Sequence, residues 1–134
     1  MDNYTYEELN KAHREVSSTI SKCEKMQGKF TEGTAQYSLL RNRIKAMAIS
    51  KRLIESELSP KEQMTDDLGQ YTKKELSEAL RPVASVISKC EKAQEKFAEG
   101  SSHCRRLENL IKAMEIAKAL IEAQLALDET NGGL

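Results

Sequence analysis

The chain has no tryptophan, two phenylalanines, two prolines and six glycines among its 134 residues. So few turn-formers and aromatics leave little material for a strand-and-turn architecture, and the helix-favouring remainder points to an all-α protein. No charge sign is in excess: lysine plus arginine and aspartate plus glutamate both number 21. That balance argues against a polyanion-coating protein or a long acidic tail. No apolar run approaches the roughly 18 residues that cross a bilayer. The start, "MDNYTYEEL", has neither the charged nor the apolar region of a secretory signal. Three cysteines, an odd number, suit a reducing compartment better than a disulfide framework, so the expected location is the cytoplasm.

What is present is a duplication. Residues 4–58 align without a gap on residues 71–125, and 31 of the 55 pairs are identical, including a repeated "ISKCEK". Charge follows the repeat: residues 1–58 and 71–125 each carry ten basic and eight acidic side chains, while the linker 59–70 and the residues after 125 are both net acidic.

Each copy opens with a helix-start signal. Thr5 and Thr72 stand at N-cap with Glu8 and Glu75 three residues on, and Tyr4 with Leu9, like Tyr71 with Leu76, is placed as a hydrophobic staple. A heptad follows in Leu9, Val16, Cys23 and Phe30, matched by Leu76, Val83, Cys90 and Phe97. Gly33 and Gly100 fit a left-handed helix stop, with Thr34 and Ser101 or Ser102 capping what comes next. The second helices carry Leu40, Ile44, Met47, Ile54 and Leu58, and their counterparts Leu107, Ile111, Met114, Ile121 and Leu125. The pattern predicts helices of about 28 and 24 residues per copy.

A 55-residue hairpin alone buries too little surface to be comfortably stable. The expected fold is therefore all-α: two tandem αα-hairpins, 1–58 and 71–127, forming an antiparallel four-helix bundle with pseudo-twofold symmetry around one core. "SPKE" in the linker reads as a short helical turn started by Ser59, Pro60 and Glu62, and 128–134 as a disordered tail. Pro82, whose counterpart is Glu15, predicts a kink.

No glycine-rich phosphate loop, nucleophile elbow or paired-histidine metal motif occurs, so the reading is non-enzymatic, with no cofactor and no metal. Cys23 and Cys90 read as small core hydrophobes, and Cys104, beside His103, as the most accessible thiol. The sharpest outer feature is basic. Arg14, Lys22, Lys25 and Lys29 fall within about 80° on a helical wheel, and Arg81, Lys89, Lys92 and Lys96 repeat the stripe. A solvated face is the plain reading of both stripes; a contact surface for an anionic partner is the other. A second cluster, Arg41, Arg43 and Lys45 against Arg105, Arg106 and Lys112, opposes the dipole at the start of the second helices.

The strings "ISKCEKAQEKF", "EGSSH" and "LIKAMEIAKALIE" resemble short uncharacterised helical-hairpin proteins of gut-type Firmicutes and their mobile elements. The resemblance implies a bacterial origin and carries no activity or site residues with it. The functional expectation is a helical module that binds an unidentified protein, and through its broad apolar stripes a second copy of itself. The alternative is a nucleic-acid or anionic-surface binder working through the basic stripes.

Overall fold

A computed structural model describes residues 4–58 and 71–132, and within them the fold is four helices with no strand. These are α1 (Tyr6–Gln27), α2 (Ala35–Leu58), α3 (Lys73–Gln94) and α4 (Ser102–Gly132). The expected turn at Ser59, Pro60 and Glu62 lies outside the described residues.

Both copies start as their sequences dictate. The Thr5 backbone N–H donates to Glu8 Oε1 at 2.9 Å and the Glu8 N–H donates to Thr5 Oγ1 at 3.0 Å. Thr72 and Glu75 repeat the two bonds at 2.9 and 3.0 Å, so two of the otherwise orphaned first-turn donors are satisfied in each copy.

The first helices stop earlier than the heptad predicts. Each is 22 residues long and ends at Gln27 or Gln94, where the chain tightens into i to i−3 bonds: Phe30 N–H to the Gln27 carbonyl, and Phe97 N–H to the Gln94 carbonyl, both 3.1 Å. Gly28 is not the cause, since its counterpart is Glu95 and both helices end at the same place. A retained side chain marks the spot: Gln27 Nε2 donates to the Tyr37 carbonyl at 3.4 Å, and Gln94 Nε2 to the Cys104 carbonyl at 3.3 Å. Phe30 and Phe97 thereby leave the core seam and are each 40% exposed. Gly33 (φ 98°) and Gly100 (φ 87°) do take the left-handed conformation, but within the loops rather than at a helix end. The next helix is capped as expected: Thr34 Oγ1 accepts from Tyr37 N–H and Ser101 Oγ from Cys104 N–H, both at 3.2 Å.

The core repeats as the sequence does. Leu9, Ala12, Val16, Cys23, Ala46, Met47, Ile49, Leu53 and Ile54 are buried, and so are all their counterparts 67 residues on. α1 packs on α2 and α3 on α4, and the two pairs join through α1 with α4, α2 with α3, and α2 with α4. Burying each such aliphatic side chain contributes about 1.5–3 kcal/mol, which neither hairpin collects alone. Ser50 is the one buried polar residue among those described. Its hydroxyl donates to the Ala46 carbonyl at 2.8 Å, so it costs little where the other copy has Ala117.

One further expectation needs correction. The last helix runs on to Gly132, past Leu127 where a disordered tail was placed, because Ala126 to Glu129 contain no glycine or proline to break it. α3 runs as one helix across Pro82. The ring leaves the Glu78 carbonyl without its helical donor but does not divide the helix.

Candidate functional site

The stripe residues lie where their helices must place them. Arg14, Lys22 and Lys25 on α1, and Arg81, Lys89 and Lys92 on α3, are all exposed, opposite the buried Leu, Val and Cys positions of the same helices. Lys29 and Lys96 are exposed as well, but they sit beyond the ends of α1 and α3, so each helical stripe holds three cations and the fourth belongs to the loop. Among the described residues none of the eight side chains makes an ion pair or hydrogen bond; the ion pairs there are His13 with Glu55 and Lys112 with Glu8, at 2.9 and 3.9 Å. In the first of these, His13 Nε2 donates to Glu55 Oε2.

The helix-to-helix seams open into two clefts that sequence reasoning missed. One, of about 520 Å³, lies between α2 and α3 and is lined by Asn42, Lys45, Ala46, Ile49, Ala79 and Arg81 among others. The second, of about 340 Å³, lies between α1 and α4 and uses the counterparts of those six: Asn109, Lys112, Ala113, Ile116, Ala12 and Arg14. Buried alanines form both floors because small side chains let the backbones approach and leave the flanking long residues standing as walls. Arg14 and Arg81 are the stripe residues drawn into these clefts; the lysines are not. The available signal was the identity of Asn42 with Asn109 and Lys45 with Lys112 at exposed positions of both copies. Glu8, on the wall of the second cleft, is held below the usual carboxylate range, chiefly by the Thr5 backbone N–H.

The interior holds one charged anomaly. Arg43 Nε is buried without a hydrogen-bond partner, while the guanidinium lies within electrostatic reach of both Cys23 and Cys90. Burial pushes both thiols up, and Arg43 pulls each part of the way back. The counterpart of Arg43 is Leu110, half-buried against the core, so this feature belongs to one copy only. Cys104 is half-buried and the most accessible of the three described cysteines, all of which are free thiols. His103 stacks on Phe97, ring centroids 4.7 Å apart. Among the described residues no three His, Cys, Asp or Glu side chains gather where they could hold a metal.

Fold and surface define an all-α four-helix bundle with three exposed stripe cations on each of α1 and α3. No helix among the described residues is long and apolar enough to cross a membrane. No protein-family model, curated protein or solved structure matches the chain.

Proposed function

We propose that this chain is a non-catalytic helical module that binds a protein partner through its outer faces, with the two basic stripes as the contact surface. The observation that carries this reading is the state of the eight cations: all exposed, none paired among the described residues, and repeated in both copies. Unpaired surface cations have given up no hydration or rotamer freedom to an internal partner, so an acidic face meets them at full strength. The repeating burial and the matched clefts support two hairpins related by a pseudo-twofold axis in an antiparallel bundle, which would present the surface twice. Free thiols fit the cytoplasm as its place of work. Self-association has less behind it, because Leu40, Met47, Leu53 and Ile54 of the broad α2 stripe are covered within the chain itself.

The test is affinity capture from the native host at about 50 and about 500 mM salt, beside a variant with Lys22, Lys25 and Lys29 changed to glutamate. Binding should fall about tenfold or more with either change. Binding insensitive to both would overturn the proposal. Retained material that is removed by nuclease and shows a steep salt slope would transfer the stripes to the nucleic-acid reading, which the same cations serve.

A further inference from the structure

The two copies differ most usefully around their loops. At the loop end of the first hairpin three large apolar side chains face solvent: Met26 at 47%, Phe30 at 40% and Leu39 at 52% exposure. All three belong to the stretch from the last turn of α1 to the start of α2, which is held together where Gln27 reaches the Tyr37 carbonyl and the Phe30 N–H returns to Gln27. In the second copy the counterparts of Met26 and Leu39 are Ala93 and Arg106, and Phe97 is partly occupied by the His103 ring. Charge differs too. Between residues 22 and 45 the exposed carboxylates are Glu24 and Glu32, against exposed Lys22, Lys25, Lys29, Arg41 and Lys45. Residues 89–112 carry twice as many carboxylates: Glu91, Glu95, Glu99 and Glu108.

Exposed apolar side chains interspersed with unpaired cations, with few acids in the same segment, are complementary to one kind of ligand: carboxylates spaced by bulky apolar side chains. We propose that the loop end of the first hairpin, around Met26, Phe30 and Leu39, is the docking seat for an acidic peptide segment of the partner that carries regularly spaced leucine or phenylalanine. This rests on the protein-binding reading above and narrows it to one end of one hairpin. The partner's apolar residues would cover Phe30 and Leu39, and its carboxylates would meet Lys25, Lys29 and Arg41. A single-stranded nucleic acid fits less well, because one phenylalanine offers a lone stacking surface and Met26 and Leu39 offer none. An anionic bilayer would demand a flatter apolar face than two helix ends and a turn supply.

The experiment uses the full chain and a fluorescently labelled synthetic peptide rich in glutamate with leucine or phenylalanine at every third or fourth position, followed by anisotropy. A peptide of equal charge with serine at the apolar positions should bind about tenfold more weakly, and F30S/L39S should lose about tenfold for the apolar peptide. F97S should change it less than about twofold, with helical circular dichroism confirming that each variant is folded. Equal binding of the two peptides, or F30S/L39S without effect, overturns the inference. If that happens while the triple lysine-to-glutamate variant still abolishes peptide binding, the basic-stripe reading survives and only this seat is lost. If no variant alters peptide binding, both fail. Tighter binding to a single-stranded oligonucleotide, or to vesicles of mixed phosphatidylserine and phosphatidylcholine, would assign the patch to that ligand and refute the peptide.

Discussion

Replacing Arg43 by leucine, the residue its counterpart position already holds, should stabilise this protein. Arg43 brings a cation to the edge of the core and leaves its Nε buried with no acceptor. An unsatisfied buried donor costs about 1–3 kcal/mol, and exchanging buried charge for apolar volume has returned about 1–4 kcal/mol elsewhere. Against this stands the loss of the electrostatic attraction toward Cys23 and Cys90, about 1 kcal/mol or less for a half-buried cation. Arg43 is only half-buried, which puts the net gain at the lower end, about 1–2 kcal/mol. Leu110 shows that the fold accommodates leucine there, half-buried against the core. Equilibrium urea unfolding under reducing conditions reads the change directly, and the thermal midpoint should rise by about 3–5 °C per kcal/mol for a chain of this size. Cys23 and Cys90 should also alkylate more slowly in R43L, since Arg43 lowers both thiols and nothing would then offset their burial. A loss of about 1 kcal/mol or more, or unchanged thiol reactivity, would show that Arg43 is a satisfied structural partner and refute the reasoning.

Burial raises Cys23 and Cys90 above the ordinary thiol value of 9.0 and Tyr71 above the ordinary phenol value of 10.0. The unfolded chain therefore sheds protons first, so stability is whole below about pH 9 and declines as pH rises through the folded values. Urea midpoints from about pH 7 to about pH 10.5 should show that decline, less steeply in C23A/C90A. Leu76, fully buried, should cost about 2–5 kcal/mol as alanine, whereas Phe97→Ala should cost under about 1 kcal/mol; equal losses would restore Phe97 to the core. Thr72→Ala removes the capping acceptor of α3 and should cost about 1 kcal/mol by urea unfolding, against no measurable change if the cap were idle.

The amino-acid sequence by itself determined the helices, their starts and most of the core. Period, capping residues and burial side are local properties, and the internal repeat states each of them twice. It also determined which face the cations of α1 and α3 would occupy, because 100° per residue follows from helix geometry alone. Tertiary structure decided where those helices stop: no local signal separates Gln27 from the heptad that continues to Phe30, and the end is marked by a side chain reaching the neighbouring helix. It alone opened clefts between α2 and α3 and between α1 and α4, and alone brought Arg43 toward thiols on two other helices. Contacts between residues far apart in the chain depend on how faces meet, and a pattern of one helix's own faces does not encode that meeting.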